Sequence, residues 1–323
     1  MNDKLTFTSN PVLQNATVLV AGAGGTIGSA LISTMNAGKI IAVDISEYAI
    51  YKLQRANNKS NIHYVVGDIS DSKFCNYLFE KYSVDYIFNA AAYKHVDMLQ
   101  NEDNVYSVIK NNIMSTINLC KWSSHVKALI HISSDKAVHP TNIMGYTKLW
   151  CERIVQHYAT SSARLKIVRF GNVYNSSGSF IETLQWQMDN KLPITITDTR
   201  MKRYFITIND ASCLINKVVT IDDNNATYIL DMGEEVDIVS IVDQLNTNNS
   251  PIDYIGIRAG EKIQEQLVYD WEALILTSDP LIKSIEWKPI DMADNINQLI
   301  EELSKDTLCT ARLSQIITTT MTL

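Results

Sequence analysis

The chain has 323 residues, of which 46% are hydrophobic and 20% are charged, and its formal net charge is -7. That length accommodates one large domain with a smaller lobe, or two ordinary domains, and the acidic balance argues against a protein that binds nucleic acid. The first residues lack the basic start and apolar core of a secretory signal, and no apolar run reaches the ~18 residues of a membrane span, so we expect a cytoplasmic protein without a membrane span.

Short β-branched runs alternate with helical patterns from Thr17 to about Phe170. The predicted strands are Thr17–Ala21, Ile40–Val43, His63–Val66, Tyr86–Asn89, Ala128–Ile132 and Lys166–Phe170. The predicted helices are Thr26–Met35, Glu47–Asn57, Ser72–Tyr82, Asn104–Ser123 and Thr141–Ala159. Such an alternation indicates an α/β fold with a doubly wound parallel sheet covered by helices on both faces.

The pattern loosens beyond Gly171, where we predict a helix over Phe180–Met188 and short strands near Ile194–Thr197 and Thr227–Leu230. We therefore predict a dinucleotide-binding domain over residues 1–172, and over 173–323 mainly a smaller substrate-binding lobe, with some segments returning to the first domain. The five cysteines form neither a CxxC pair nor a cluster with histidines, so the sequence predicts no metal site.

A glycine-rich turn joins the first predicted strand to the first predicted helix, in the segment VLVAGAGGTIG that ends at Gly28. Gly22 would permit the tight turn, Gly25 would let the backbone approach a pyrophosphate, and Gly28 would let the helix pack closely on the strand. Amide groups at the start of the helix would then face the phosphates. The residues predicted to contact a dinucleotide here are Gly22, Gly25, Thr26, Ile27 and Gly28.

Two acidic residues follow the next predicted strands. Asp44 ends the segment IIAVD, where a carboxylate accepts hydrogen bonds from an adenosine ribose, which favours NAD because the 2'-phosphate of NADP would meet a like charge; NADP stays open. Asp68 and Ile69 end the third strand at a position that suits adenine, although Asp68 could equally be a turn or helix-cap residue.

The segment HISSDKAVHPTNIMGYTKLWCE, from His131 to Glu152, resembles the STDKAVxPTNxMGxTK segment of the UDP-N-acetylglucosamine 4,6-dehydratases. These enzymes form the polysaccharide-biosynthesis branch of the extended short-chain dehydrogenases/reductases. The resemblance extends over most of the chain through the motifs GAGGTIGSALI, AAAYKHVDMLQ, RFGNVYNSSGSF, RMKRYFITINDA and RAGEKIQEQLV. It implies an extended Rossmann fold with bound NAD and a nucleotide-sugar substrate.

The tyrosine that ordinary members of this superfamily use as a proton acceptor is missing. That tyrosine lies four residues before the catalytic lysine, and the residue four before Lys148 is Met144, whose thioether cannot ionise. Tyr146 is two residues away from Lys148 and would point to another side of the helix. The similar dehydratases also carry Met at this place and rely on a Thr-Asp-Lys triplet, which is Ser134-Asp135-Lys136 here.

The resemblance implies a role for each member of this triplet. Lys136 would remove the proton on carbon 5 of the sugar, and Asp135 would protonate the departing 6-hydroxyl group. Ser134, or a water ordered by Ser134 and Lys148, would take the proton of the 4-hydroxyl group, and Lys148 would also hold the nicotinamide ribose. As a base Lys136 must be neutral, and we expect burial and a nearby Lys148 to lower its pKa.

The resemblance also implies the remaining site residues and the substrate. Ala90 and Ala91 would contact the cofactor, and the predicted sugar-nucleotide contacts are Lys94, His95, Asn172, Arg203, Arg258 and Glu261. An arginine fork suits a diphosphate. The implied substrate is a UDP-linked N-acetylhexosamine, with a GDP-linked sugar left open, and the implied assembly is a homo-oligomer.

Two alternatives to a dehydratase remain open on the sequence. One is a nucleotide-sugar epimerase of the same superfamily, which would change the configuration of the sugar without changing its mass. The other is an NAD-binding scaffold that lost catalysis together with the tyrosine.

Overall fold

A computed structural model describes residues 3–6, 10–99, 101–159, 164–222, 226–288, 290–307 and 309–319. Gln100, the last residue of the AAAYKHVDMLQ motif, lies outside these ranges. The strands are β1 (Thr17–Ala21), β2 (Lys39–Asp44), β3 (Ile62–Val66), β4 (Tyr86–Asn89), β5 (Ala128–Ile132), β6 (Arg164–Arg169), β7 (Asn172–Val173), β8 (Ile194–Ile196), β9 (Lys202–Arg203), β10 (Phe205–Ile206), β11 (Ala226–Leu230), β12 (Val236–Asp237), β13 (Ile252–Tyr254), β14 (Ile275–Leu276) and β15 (Ile282–Glu286). The helices are α1 (Thr26–Thr34), α2 (Glu47–Ala56), α3 (Ser72–Lys81), α4 (Val96–Leu99), α5 (Glu102–Ile109), α6 (Ser115–Lys121), α7 (Ile143–His157), α8 (Phe180–Asp189), α9 (Ile208–Val218), α10 (Ile238–Leu245), α11 (Ala293–Leu303) and α12 (Thr310–Thr319).

The main sheet confirms the predicted doubly wound α/β architecture. In the described part of the chain nine strands form it, in the order β14-β15-β11-β6-β5-β4-β1-β2-β3. The seven strands from β11 to β3 run parallel, and β15 and β14 add antiparallel strands at one edge. The strand order reverses at β1, which lies between β2 and β4, and open sheets of this type bind ligands in the crevice beyond the carboxyl ends of the strands at such a point.

Helices cover both faces of this sheet because its central strands are apolar on both sides. Every residue of β4 and β5 is buried. On one face α1 packs against α9, and on the other α7 packs against α6 and α12. The indole of Trp150 in α7 is fully buried and donates to the carbonyl of Ile317 at 3.0 Å, which ties α12 to α7. Within the described residues, no helix has the length and apolar character to cross a bilayer.

The helix predicted over Asn104–Ser123 is present, but its middle is not α-helical. Residues Lys110–Met114 form a π-helical turn between α5 and α6. The amide nitrogen of Asn112 donates to the carbonyl of Tyr93 at 3.1 Å and to the hydroxyl of Thr147 at 3.0 Å. These contacts hold the widened turn against the loop after β4 and against α7, and π-helical turns inside α-helices often mark functional sites.

The chain after β6 contributes to two places. Small two-stranded sheets pair β7 with β10, β9 with β12 and β8 with β13, around a separate hydrophobic cluster that includes Leu184 and Ile194. In contrast, β11 lies beside β6 in the main sheet, and β15 and β14 extend that sheet. The same stretch of sequence therefore extends the sheet and builds a cover beside its carboxyl edge.

Candidate active site

The glycine turn has the backbone geometry that a dinucleotide requires. Gly22 has φ +73°, and a Cβ atom there would lie 2.6 Å from the backbone nitrogen of Ala91, while a Cβ on Gly28 would overlap the carbonyl oxygen of Gly22. At Gly25 the nearest atom to an added Cβ is 3.3 Å away. Gly25 caps α1 without a side-chain hydrogen bond, so the first amides of the helix are left to a ligand. The turn fits a pyrophosphate.

Asp44 lies beside this turn and is held by it. One carboxylate oxygen accepts from the backbone N–H of Gly24 and the other from that of Ser46, each at 2.9 Å. Each oxygen keeps a lone pair, so Asp44 can still accept a hydrogen bond from a ribose. Asp68 accepts from the N–H of Ser70 at 2.8 Å, so its carboxylate makes the turn interaction that the sequence also allowed. The carbonyl of Ile69 accepts from the side-chain amide of Asn118 at 2.9 Å.

The Ser134-Asp135-Lys136 triplet follows β5 directly, in a 3-10 turn over Asp135–Ala137. Asp135 is fully buried, and one of its carboxylate oxygens accepts from the Ser134 hydroxyl at 2.7 Å and from the Lys136 ammonium at 3.0 Å. The backbone N–H of Asp135 donates to the carbonyl of Phe170 at 3.2 Å, which ties the turn to the end of β6. The three side chains therefore meet at the carboxyl edge of the sheet.

The expected pKa of Lys136 is wrong in direction. Burial lowers its pKa, but the negative charges of Asp135 and Glu265 outweigh burial and raise the pKa above its usual value. A carboxylate oxygen of Glu265 lies 3.9 Å from the Lys136 nitrogen. The ammonium of Lys148 donates to the carbonyl of Ile132 at 3.1 Å. In this arrangement Lys136 carries its proton.

Lys148 and Met144 occupy different environments on α7. Burial lowers the pKa of Lys148, Cys151 and Glu152 oppose that shift, and Lys94 adds to it, so the net direction is downward. The side chain of Met144 is 2% exposed and belongs to the hydrophobic core on this face of the sheet. Met144 therefore packs in the core, and its thioether does not offer a proton acceptor to a substrate.

Two loops converge on the start of α1. Lys94, in the loop after β4, donates to the hydroxyl of Ser176 at 3.3 Å, and the ring of His95 lies directly against Gly178. The backbone N–H of Ser177 donates to the hydroxyl of Thr26 at 3.1 Å. Lys94 and His95 are thus held next to the glycine turn.

The structure shows backbone N–H donors at the other predicted residues of these loops, Ala90, Ala91 and Asn172. Ala90 donates its N–H to the carbonyl of Ala21 at 3.0 Å, and Ala91 donates to the amide oxygen of Asn89 at 3.3 Å. Asn172 lies in β7, where its N–H donates to the carbonyl of Tyr204 at 3.0 Å. Ala90 and Ala91 border Gly22 of the cofactor turn.

The predicted arginines and Glu261 lie in or against the RAGEK segment. Arg203 donates to the carbonyls of Lys202 and Lys262 at 2.7 Å and of Ile263 at 2.8 Å. Arg203 therefore braces this segment. Arg258 is exposed, and its N–H donates to Glu261 at 3.2 Å.

The RAGEK segment is also held from the Rossmann side. The carbonyl of Gly260 accepts from the hydroxyl of Thr141 at 2.7 Å and from the amide of Asn142 at 2.9 Å. Asn142 caps the start of α7, so this loop is fixed close to the turn that carries the triplet.

A buried charge network next to the triplet was missed from the sequence. Both oxygens of Glu152 accept from Arg169, at 2.8 and 2.7 Å, and one of them also accepts from the Ser133 hydroxyl at 2.5 Å. Glu272 accepts from Arg169 at 2.7 Å. Arg169 and Glu152 lie in motifs that the sequence singled out, but nothing in their spacing predicts that they pair.

His131 and Glu265 were also missed. His131 is buried at the end of β5 beside Asn89, whose amide lies 3.1 Å from Nδ1, and burial together with Lys148 holds the pKa of His131 well below its usual value. Glu265 belongs to the RAGEKIQEQLV motif, which contains three other charged residues and gives no indication of which one reaches the triplet.

Comparisons with known proteins agree with this geometry. The family model described as "Polysaccharide biosynthesis protein" matches residues 18–285. The chain is 36% identical over 273 residues to "Probable polysaccharide biosynthesis protein EpsC" of Bacillus subtilis, a match that covers 79% of this chain and 45% of that protein, so this chain corresponds to less than half of EpsC. It is 30% identical over 298 residues to a "UDP-N-acetylglucosamine 4,6-dehydratase (inverting)" of Campylobacter jejuni, covering 83% of this chain and 84% of that one.

A solved structure shows the same likeness in three dimensions. The X-ray structure of Pen from Bacillus thuringiensis superposes with a TM-score of 0.75 at 27% identity, and the match covers 90% of this chain and 99% of that chain.

Proposed function

The chain belongs to the polysaccharide biosynthesis protein family of extended short-chain dehydrogenases/reductases, and from this membership we propose that it is a nucleotide-sugar 4,6-dehydratase. We propose that it converts UDP-N-acetylglucosamine, or a related nucleotide-linked N-acetylhexosamine, to the 4-keto-6-deoxy sugar with loss of water. In this proposal most of residues 173–323 form the lobe that binds the substrate.

One observation carries this proposal. The fully buried Asp135 accepts hydrogen bonds from both Ser134 and Lys136 at the carboxyl end of β5, where a Rossmann sheet presents its ligands. An acid, a base and a hydroxyl group within one turn are what an elimination of water requires. Since Met144 is buried in place of the usual tyrosine, the proton chemistry falls to this turn.

We propose NAD as the cofactor. The glycine turn fits a pyrophosphate, and Asp44 lies beside it with lone pairs available for a ribose. A 2'-phosphate would meet the charge of Asp44, which supports NAD over NADP. NAD bound here would take a hydride from carbon 4 of the sugar and return one to carbon 6.

Lys136 and Asp135 would share one transferable proton. The structure has the ion pair, in which Lys136 holds that proton 3.0 Å from the Asp135 oxygen. Movement of the proton across this hydrogen bond gives a neutral amine and a carboxylic acid, the forms that the reaction needs. The amine then takes the proton of carbon 5 and the acid protonates the 6-oxygen as the carbon–oxygen bond breaks, which restores the ion pair and releases water. When carbon 6 receives the hydride, the ammonium of Lys136 would give a proton to carbon 5, and solvent would then return the proton released from the 4-hydroxyl group to the pair.

Ser134 would handle the proton of the 4-hydroxyl group. Its hydroxyl already donates to Asp135 at 2.7 Å, and a proton received from the sugar would leave Ser134 through a water to solvent, because the Lys136–Asp135 pair already holds its one proton. Lys148 is fixed by the carbonyl of Ile132 and would orient the nicotinamide ribose or a water at this place. Lys94, near the glycine turn, would support the diphosphate of the substrate by charge.

The test is to incubate the purified protein with UDP-N-acetylglucosamine, and separately with GDP-linked sugars, in heavy water. We expect a product that has lost one water and carries one deuterium on carbon 5, detected by mass spectrometry and NMR. Asp135→Asn and Lys136→Met should each reduce turnover about 100-fold or more while cofactor binding is retained. Lys52→Met, which removes a lysine that lies over the ring of Tyr48, is the control and should keep wild-type turnover.

Two other outcomes would contradict the proposal. A product of unchanged mass with a new sugar configuration would support the epimerase. Bound NAD without turnover of any sugar nucleotide would support the scaffold.

A further inference from the structure

Glu265 places a second carboxylate beside Lys136, and it comes from the substrate lobe. It is 7% exposed, and its two oxygens lie 3.9 Å from the Lys136 nitrogen and 3.1 Å from the Lys262 nitrogen. Lys262 in turn donates to the carbonyl of Val138 at 2.7 Å, immediately after the turn that carries the triplet. Lys262 therefore ties the segment that carries Glu265 to the triplet, and the carboxylate of Glu265 interacts with the two lysines as an ion pair.

We propose that Glu265 is a positioning residue that keeps one transferable proton on the Lys136–Asp135 pair. This inference rests on the dehydratase proposed above and adds a residue to its machinery. Glu265 acts through Lys136 and does not itself touch the sugar.

The proton balance shows why the pair needs such a residue. With one shared proton the pair can become a neutral amine and an acid, and the elimination returns it to the ion pair. If that proton leaves to solvent, Asp135 has none to give to the departing hydroxyl group. If a second proton binds, Lys136 cannot accept the one from carbon 5. Activity therefore has an upper pH limit, where the ammonium loses its proton in the presence of the Asp135 carboxylate.

The charges around Lys136 set that limit. Asp135 and Glu265 raise the pKa of Lys136, and Arg203 opposes them. The positive charge of Lys136 lowers the pKa of Lys94, so these two cations lie within electrostatic reach of each other. The ammonium of Lys262 partly balances the charge of Glu265. Without the charge of Glu265, Asp135 alone would raise the pKa of Lys136, while burial and the neighbouring cations lower it. The ammonium should then lose its proton at a lower pH.

The first experiment measures Lys136 without a substrate. The holoprotein is treated with dilute acetic anhydride across a pH series, and acetylation of Lys136, whose side chain is 23% exposed, is followed by peptide mass spectrometry. In Glu265→Gln we expect the midpoint of labelling to move down by about one pH unit. Asp253→Asn removes an exposed carboxylate of the same lobe and should leave the midpoint in place. An unchanged midpoint in Glu265→Gln overturns the inference.

The second experiment measures the reaction. For Glu265→Gln the descending high-pH limb of kcat/KM should move to lower pH by the same amount, and Glu265→Asp should restore part of the shift. A residue that only stabilises the fold would lower activity equally at every pH and leave the limb in place, which would overturn the inference while the dehydratase stands. If the wild type turns over no sugar nucleotide, the proposed function fails, and the labelling result still decides whether Glu265 holds the proton.

Discussion

The two sides of the candidate site are built in different ways. The cofactor side is built around one short turn, in which Gly22 and Gly28 lie against each other, Asp44 accepts from Gly24, and Ala91 borders Gly22 from the loop after β4. The charge side is assembled from distant parts of the chain, because Asp135 and Lys136 follow β5 while Glu265 lies in the loop between β13 and β14.

The two sides should therefore be disrupted by different kinds of substitution. A backbone cradle depends on the space available at a few glycines, so a single methyl group can block it. A network of buried charges depends on every partner, since removal of one leaves another charge without compensation in a poorly solvated place. The first side should be sensitive to size and the second to charge.

The largest expected effect is on the charge side. The two arginines at the ends of β6 form a matched pair: Arg169 is 2% exposed and bonded to the buried Glu152, whereas Arg164 is 48% exposed and paired with the exposed Asp222. We expect Arg169→Met to lower the free energy of unfolding by about 3–5 kcal/mol. Arg164→Met should cost about 1 kcal/mol or less. Urea unfolding followed by circular dichroism measures both.

A double variant separates lost charge from lost volume. Arg169→Met combined with Glu152→Met removes both buried charges and should recover part of the stability lost in Arg169→Met alone. The two residues are not coupled if adding Glu152→Met lowers the stability of Arg169→Met by the full cost of a second core substitution. The charge side would then not depend on paired charges, and the contrast between the two sides would be lost.

The sequence predicted the fold and the position of the glycine turn because their signals are local. Apolar runs place β1, β4 and β5 correctly, and the triplet lies directly after β5 as the motif indicated. The π-helical turn at Lys110–Met114 was not predictable, since Asn112 within it is held by contacts with Tyr93 and Thr147 in other parts of the chain. The charge state of Lys136 was missed for the same reason, because Glu265 reaches it from a distant part of the chain.

The next effect tests the cofactor side by size alone. We expect Gly28→Ala to cost about 1–3 kcal/mol and to abolish NAD binding, because the added Cβ would overlap the carbonyl oxygen of Gly22 and push α1 away from the turn. Gly25→Ala is the control for the fold, since its Cβ would meet nothing nearer than 3.3 Å. Thermal unfolding compares the stability of the two variants, and titration calorimetry measures their binding of NAD. Equal stability of both variants would mean that α1 does not depend on this close packing.

The smallest effect is a pH dependence at the point where the two sides meet. Burial, with Lys148 adding to it, holds the pKa of His131 well below its usual value of 6.5. The unfolded chain therefore binds a proton that the folded chain does not, so the contribution of neutral His131 is complete above about pH 6.5 and is lost as the pH falls below it. The slope from this residue is about 1.4 kcal/mol per pH unit. In His131→Gln the free energy of unfolding should fall less steeply than in the wild type between pH 6.5 and 5, whereas His125→Gln, at an exposed histidine, should follow the wild type. Parallel curves for His131→Gln and the wild type would show that folding does not change the pKa of His131, which would contradict the burial of a neutral imidazole beside Lys148.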